Sequence, residues 1–264
     1  MVLPLGDLQK TRIVPFVTYS LIAINIVMYI VQRQEGEAFT LAYAATPYEI
    51  THNHDFKAPI VLPRGNAENP WELVNAANEQ NRTINQAPGP SPIWLTLFTS
   101  MFLHGSPLHL AGNMLYLWIF GDNVEEVLGT ARYLIVYLAC GLAGTFFQIA
   151  ANPDSFIPTL GASGAIAGLM VAYVIWFPHN RVRVLVFRFI TEMPAIMVVG
   201  FWVLMQVFEG ISSLRSLPDS GGVAYLAHLG GAATGLIVAY LFKDQARQLE
   251  LMNEGRDGWF YGPP

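Results

Sequence analysis

Residues 155–180, SFIPTLGASGAIAGLMVAYVIWFPHN, contain no Asp, Glu, Lys or Arg. A helix needs about 20 mostly apolar residues to cross the roughly 30 Å hydrocarbon core of a lipid bilayer, and this stretch is long enough. Similar charge-free stretches lie on both sides of it, at residues 13–32, 83–121, 133–153, 193–208 and 220–242. The sequence therefore predicts six membrane-spanning helices, at residues 13–32, 107–121, 132–151, 160–177, 193–210 and 223–242.

The composition of the chain excludes most classes of soluble protein. Of its 264 residues, 53% are hydrophobic and only 12% are charged, whereas a soluble domain carries about 25% charged residues. The formal net charge is −5 and no block of Lys or Arg occurs, which disfavours binding to nucleic acid. The single cysteine excludes a disulfide framework. We therefore predict an all-α membrane protein that has the lipid bilayer as its partner.

Basic residues in the short loops predict the orientation of the helices. The loop at 178–191 carries three arginines, whereas the opposite short loops, at 152–159 and 211–222, carry only one between them. Short loops that are rich in Lys and Arg stay on the cytoplasmic side of a membrane. The loop at 178–191 is therefore expected in the cytoplasm, and six spans place both chain termini on that same side.

This orientation divides the chain into three parts. Residues 1–12 form a cytoplasmic segment, residues 13–242 the membrane domain and residues 243–264 a cytoplasmic tail. Within the membrane domain, residues 33–91 form a long first extracytoplasmic loop. The first apolar run is longer than the 7–15-residue apolar region of a signal peptide, so we expect it to be a retained span. The expected location is a bacterial plasma membrane.

Three of the predicted spans contain polar side chains near one end. The second span has His109 and Asn113, the fourth has Ser163 and the sixth has His228. Alternate spans run in the same direction, so all three helices begin at the extracytoplasmic side and carry these residues within their first two turns. An ionisable residue inside a membrane helix is a functional hypothesis by default. The four side chains are therefore expected to converge at one shallow depth.

Glycines accompany both Ser163 and His228. Small residues allow two membrane helices to approach backbone to backbone, whereas large side chains would hold Ser163 and His228 apart. We therefore expect the fourth and sixth helices to pack directly on each other through five glycines: Gly161, Gly164, Gly168, Gly231 and Gly235.

The residue types at this depth are those of a serine hydrolase. A serine hydroxyl becomes a useful nucleophile when a base such as a neutral imidazole takes its proton. The tetrahedral intermediate then needs hydrogen-bond donors for its oxyanion, and His109 and Asn113 are candidates, together with backbone N–H groups at the head of the fourth helix. Because no Asp or Glu occurs at this depth in the spans, a Ser–His dyad fits better than a triad.

Four motifs occur in order along the chain: His104 with HLAGN at 109–113, GDNVEEVLG at 121–129, GASG at 161–164 and AHLGGAATG at 227–235. Together they resemble the motifs of the rhomboid family of intramembrane serine proteases, and the resemblance covers residues 94–242. It implies a six-transmembrane-helix rhomboid-like bundle with a water-filled cavity that opens on the extracytoplasmic side.

The resemblance also implies an activity. By position, Ser163 resembles the nucleophile of the family, His228 the base, and His109 and Asn113 the oxyanion donors. The implied function is an intramembrane serine endopeptidase that cleaves transmembrane segments of membrane proteins near the extracytoplasmic face, often after a small residue, through an acyl-enzyme. Transmembrane protein substrates are the expected partners, and no cofactor or metal is expected.

The sequence departs from the family pattern at two places. Many rhomboids carry a tyrosine four residues after the serine, which packs against the catalytic histidine, whereas this chain has Ala167. We therefore expect an aromatic residue of the second or third helix to orient His228. The first loop has Trp71-Glu72 where some relatives have a Trp-Arg pair. His104 is expected to fix the start of the second helix rather than to take part in the chemistry.

Three other interpretations fit the sequence less well than a protease does. His52 and His54, with a nearby Asp, lack the closing fourth ligand of a structural zinc site. A transporter would place its polar residues at the midplane, in interrupted helices and repeats. The main alternative is a non-catalytic rhomboid-like protein that binds membrane clients, although such a protein would be expected to lose the serine or the histidine.

Overall fold

A computed structural model describes residues 2–9, 11–62, 82–215 and 224–260 of the chain. Trp71-Glu72, which stands where some rhomboids have a Trp-Arg pair, lies outside these residues. The described part is mostly helical, with ten α-helices: α1 Phe16–Glu35, α2 Glu37–Tyr43, α3 Pro47–His52, α4 Thr96–Thr99, α5 Pro107–Leu128, α6 Thr130–Ala151, α7 Ser163–Trp176, α8 Ala195–Arg215, α9 Tyr225–Leu241 and α10 Lys243–Phe260. Short 3₁₀ turns at Ile93–Leu95 and Ser100–Phe102 flank α4.

Each of the six predicted spans coincides with one long helix: α1, α5, α6, α7, α8 and α9. Local sequence explains where these helices begin and end. Pro107 occupies the first turn of α5, where its missing N–H costs no hydrogen bond, and the side chain of Ser106 caps that turn by accepting from His109 N–H at 3.1 Å. Gly129, with φ +73°, ends α5 and separates it from α6.

Length and composition support a membrane crossing for some of these helices. Among the described residues, Phe16–Glu35, Thr130–Ala151 and Ala195–Ser212 are long and apolar enough to cross a membrane. A fourth crossing is obtained if Tyr225–Leu241 and Lys243–Met252, which bend by 65°, are taken as one span. Helix α7 has 14 residues and is therefore only about 21 Å long. The protein is thus a membrane-spanning helical bundle, and the count of six crossings stays a prediction.

The structure adds two small β-sheets that the all-α prediction lacked. Strands β1 Val2–Asp7, β4 Arg181–Val186 and β5 Phe189–Pro194 form an antiparallel sheet in the order β1-β4-β5, and β2 Ile60–Leu62 pairs with β3 Arg82–Ile84.

The arginine-rich segment at 178–191, predicted as a loop, is therefore largely the β4–β5 hairpin. Its alternation buries Val182 and Val184 and exposes Arg181 and Arg183, which is the period of a half-buried strand. The fifth span was predicted to begin at Met193, which instead lies in β5.

The strands and loops mark the two ends of the bundle. At one end β1 pairs with β4, so the segment before α1 lies beside the segment after α7. At the other end Ala45, in the loop after α2, exchanges backbone hydrogen bonds of 3.0 and 2.8 Å with Thr159, four residues before Ser163. The first loop and the head of α7 therefore share one end, and the β1-β4-β5 sheet lies at the opposite end.

Buried polar groups join each end of helix α1 to one end of α5 or to the segment just before it. The carboxylate of Glu125, which is fully buried, accepts from the backbone N–H groups of Val17 and Thr18 at 2.9 and 2.8 Å. A carboxylate is stabilised at a helix N-terminus because it satisfies free N–H groups and opposes the helix dipole. Near the other end of α1, the side chain of Gln32 accepts from His104 N–H at 2.9 Å.

Glycines bring α7 and α9 into direct backbone contact. A Cβ atom on Gly231 would overlap the carbonyl oxygen of Gly164, and one on Gly235 would overlap the carbonyl oxygen of Gly168. A Cβ on Gly168 would in turn overlap the side chain of Cys140 of α6. No larger residue fits at these positions without moving a helix.

Replacing Gly231 with alanine tests this contact. We expect Gly231→Ala to lower the thermal stability of the protein in detergent, because overpacking of a filled interior costs about 1–3 kcal/mol. The matched control is Gly200→Ala in α8, where an added Cβ meets no atom within 4 Å. Thermal unfolding of both variants is the measurement, and equal melting temperatures would contradict the close contact of α7 and α9.

Candidate active site

Ser163 is the first residue of α7, and the residues before it hold the backbone in a special conformation. Gly161 has φ +124°, in the region that favours glycine, and its N–H donates to the carbonyl of Ser100 at 2.9 Å. A Cβ on Gly161 would lie 2.9 Å from Cε1 of His109 and 3.7 Å from Nδ2 of Asn113. Glycine is thus favoured both by the turn and by the close approach of the His109 ring, whereas Asn113 lies at an ordinary contact distance.

Ser163 and His228 meet across the contact of α7 and α9. Nε2 of His228 lies 2.7 Å from Oγ of Ser163, and the His228 side chain is buried. A hydrogen bond of this length between a hydroxyl and an imidazole nitrogen is the arrangement in which a base takes a proton from a nucleophile. The structure therefore brings together the two residues that the sequence analysis named as nucleophile and base.

The other nitrogen of His228 contacts a residue that the sequence analysis missed. Nδ1 of His228 lies 2.6 Å from Oε1 of Gln206, a buried residue of α8. The indole ring of Trp202, one turn earlier on α8, lies 5.6 Å from the imidazole, and the ring of Tyr225 stands edge-on at 6.5 Å.

The prediction that an aromatic residue of the second or third helix orients His228 is therefore wrong. The two aromatic rings recorded beside the imidazole come from other helices, Trp202 from α8 and Tyr225 from α9. A signal for Gln206 was present in the sequence, since it is the one polar residue in the charge-free stretch at 193–208.

Asn113 and His104 form a buried pair beside Gly161. The Asn113 side-chain nitrogen Nδ2 lies 2.9 Å from Nε2 of His104. Burial, with a smaller effect from the neighbouring His109, lowers the pKa of His104 to about 4. The imidazole of His104 is therefore neutral at neutral pH, and its Nε2 accepts a hydrogen bond from the Asn113 amide. His104 thus has a role that the sequence analysis did not assign, because it fixes the amide group of Asn113.

His109 lies on the same side of Gly161 as Asn113. Its Nδ1 is 3.4 Å from the backbone N–H of Gly105, so Nδ1 is the acceptor and the neutral ring carries its proton on Nε2. That Nε2 atom lies beside Gly161, two residues before Ser163. The structure thus brings His109 and Asn113 to the head of α7 as side-chain N–H donors.

A small pocket adjoins Ser163 at the end of the bundle that faces the first loop. Apart from Leu160, its walls are made of small and hydroxyl-bearing residues, which leave space beside the Ser163 hydroxyl. The side chains and backbone that line it include Ser100, Gly141, Thr145, Thr159, Gly164 and Ala227.

His52 lies apart from this site. Its imidazole stacks on Tyr48 with 4.0 Å between ring centroids, and its Nε2 is 3.7 Å from Oδ1 of Asp154. Within the described ranges, no group of three or more His, Cys, Asp or Glu residues is arranged to hold a metal ion.

The family model of the rhomboid domain matches residues 92–245, which contain Ser163, His228, His109 and Asn113. The chain belongs to the rhomboid family. The resemblance drawn from the four sequence motifs is therefore confirmed at the level of the family.

Several rhomboid proteins align with this chain. It is 31% identical over 173 residues to rhomboid protein 1, mitochondrial, of Saccharomyces cerevisiae, covering 63% of this chain and 47% of the relative. It is 25% identical over 177 residues to the presenilin-associated rhomboid-like protein, mitochondrial, of Homo sapiens, covering 63% and 42%. It is 36% identical over 117 residues to rhomboid protease GluP of Bacillus subtilis, covering 44% and 22%. The chain thus spans less than half the length of these relatives.

The relatives qualify the predicted location and activity. The rhomboid family has protease members, since one of these relatives, GluP, is named as a rhomboid protease. Because two of these relatives are named as mitochondrial, and another match is named as chloroplastic, the comparisons do not support a bacterial plasma membrane in particular. They support an integral membrane protein of the rhomboid family.

Proposed function

We propose that this protein is an intramembrane serine endopeptidase that cleaves transmembrane segments of membrane proteins. The observation that carries the proposal is the 2.7 Å contact between Ser163 Oγ and His228 Nε2, in a chain of the rhomboid family. In the proposed reaction, Ser163 Oγ attacks the carbonyl carbon of the scissile peptide bond while its proton passes to His228 Nε2. His228 then gives this proton to the leaving amine as the C–N bond breaks.

The second half of the reaction hydrolyses the resulting acyl-enzyme. A water molecule attacks the ester carbonyl of Ser163, and His228 takes one proton from that water. The C–O bond to Ser163 breaks, the proton returns to Ser163 Oγ, and the new carboxyl end of the substrate leaves. No cofactor enters either step.

Both tetrahedral intermediates carry an oxyanion, for which we propose His109 and Asn113 as donors. An asparagine amide has two N–H donors, so Asn113 can bond His104 with one and the oxyanion with the other. His109 offers Nε2–H, and the first backbone N–H groups of α7 have no carbonyl one turn back to bond. The proximity of both side chains to Gly161 supports this assignment.

We further propose that cleavage occurs at the membrane face that carries the first loop. The bridge between Ala45 and Thr159 supports this side, since it joins the first loop to the segment before Ser163. The arginine-bearing β4–β5 hairpin lies at the opposite end and is proposed to be cytoplasmic, together with both termini.

Single removal of Ser163 or His228 tests the proposed activity. We expect Ser163→Ala and His228→Ala each to abolish cleavage of a reporter transmembrane substrate in liposomes, because residues that act as a unit lose nearly all activity when one is removed. The matched control is Ser20→Ala, because the Ser20 hydroxyl bonds the Phe16 carbonyl of its own helix.

A fluorophosphonate probe gives an independent readout of the same variants. The wild type and Ser20→Ala should be labelled, and Ser163→Ala should not. A Ser163→Ala protein that still cleaves the substrate would exclude the mechanism. A folded wild type that neither cleaves nor reacts with the probe would favour the alternative of a non-catalytic client-binding protein.

Removal of the Asn113 amide tests the proposed oxyanion donor. We expect Asn113→Ala to lower the single-turnover rate by about 10²–10³, the usual effect of losing one such donor, with little change in substrate binding. The melting temperature and the rate are to be measured on one preparation. A lower melting temperature with an unchanged rate per folded molecule would show that Asn113 is structural only.

Reporter fusions test the proposed orientation. Fusions at about residues 185 and 250 should report the cytoplasmic side, and a fusion near residue 75 the opposite side, because the arginines of the hairpin favour the cytoplasm. An extracytoplasmic signal at residue 185 would contradict the orientation and, with it, the proposed face of cleavage.

A further inference from the structure

We infer that Gln206 is a positioning residue of the proposed protease, which holds His228 in the tautomer that accepts the proton of Ser163. This inference rests on the proposed function. It extends the Ser–His dyad to a chain of three hydrogen-bonding groups from three helices: Ser163 of α7, His228 of α9 and Gln206 of α8.

The two contacts of His228 define the direction of its hydrogen bonds. A neutral imidazole has one N–H donor and one acceptor nitrogen. With Nδ1 at 2.6 Å from Oε1 of Gln206, the amide oxygen is an acceptor that requires the proton on Nδ1. Nε2 is then the acceptor, and it lies 2.7 Å from the hydroxyl of Ser163. The Ser163 proton is therefore directed at the nitrogen that can take it.

The opposite tautomer would be inactive. With its proton on Nε2, His228 would donate to Ser163 Oγ and could not accept the Ser163 proton. In serine proteases with a triad, an aspartate prevents this by bonding Nδ1–H, and its replacement by asparagine gives the wrong tautomer and a large loss of kcat. Here the oxygen of a neutral amide occupies the corresponding place.

The surroundings of Gln206 and His228 favour a neutral acceptor. Both side chains are buried, and a charged group inside a membrane protein is expensive. The titratable groups recorded beside His228 are His109 of α5, which acts on it electrostatically, and Tyr225 of α9, whose ring stands edge-on to the imidazole. Glu209 follows Gln206 by three residues on α8. Oε1 of Gln206 is the oxygen that contacts Nδ1 directly.

Two substitutions at Gln206 separate positioning from simple packing. Gln206→Met keeps the length of the side chain and removes the acceptor, whereas Gln206→Glu keeps an acceptor oxygen. The matched control is Asn25→Leu, which removes another buried amide of a membrane helix, one that bonds the Leu21 carbonyl of its own helix. Each purified variant is assayed in liposomes for kcat, KM and the pH profile of cleavage, and in detergent for thermal unfolding.

We expect Gln206→Met to lower kcat about 10- to 100-fold with little change in KM, because the lost hydrogen bond is to a group that becomes charged in the transition state. We expect Gln206→Glu to recover most of kcat. Its acid limb should move to higher pH, because a carboxylate beside Nδ1 stabilises the imidazolium form of His228. Asn25→Leu should keep the wild-type kcat per folded molecule and the wild-type pH profile.

The outcomes distinguish this inference from the proposed function. If the wild type cleaves in a Ser163-dependent manner and folded Gln206→Met has the wild-type kcat and pH profile, the positioning role is wrong and the protease remains. If Gln206→Met does not fold, the pH profile of Gln206→Glu is decisive. An acid limb at the same pH as in the wild type would exclude the contact, and an acid limb at higher pH would support it. A wild type without Ser163-dependent cleavage or labelling would overturn both.

Discussion

The direct backbone contact between α7 and α9 is the constraint on which the rest of the structure depends. Because the carbonyls of Gly164 and Gly168 occupy the space where Cβ atoms of Gly231 and Gly235 would lie, no side chain separates the two helices. Ser163 and His228 can then meet at 2.7 Å from different helices. Close packing of small residues is also how membrane helices associate when lipid offers no hydrophobic driving force, so the same glycines serve stability and the site.

Helix α5 carries the proposed oxyanion donors and is held by α1 through buried polar groups. Glu125, toward the end of α5, bonds the first N–H groups of α1, and Gln32, toward the end of α1, bonds the backbone of His104 just before α5. Buried polar groups without partners are costly, so these contacts fix the rotation and depth of α5. His104 then passes this constraint to Asn113, which places the amide beside Gly161.

The sequence predicts the positions of the six long helices well, because a charge-free stretch or a glycine motif can be recognised within one segment of the chain. It fails where contacts depend on how helices rotate about their axes. Gln206 is visible as a lone polar residue, yet nothing in one sequence shows that α8 turns it toward His228. The β4–β5 hairpin was missed for another reason. Its arginines indicate a loop on the cytoplasmic side, and the predicted loop rests on this signal alone. The alternation of arginine with the buried Val182 and Val184 is typical of a strand and would have predicted the hairpin.

A neutral amide at Gln206 suits the proposed protease, whose reaction would take place inside a membrane. An aspartate at this position would hold the same tautomer of His228, but its charge would be buried before the reaction begins. Among the described residues, no Lys or Arg side chain bonds to position 206 to balance that charge. Gln206 presents only a dipole to Nδ1, so formal charges arise in the proposed site only during the reaction, when imidazolium and oxyanion form together. These two opposite charges stabilise each other at short range in a medium of low dielectric. An amide therefore orients the base without the standing cost of an ion.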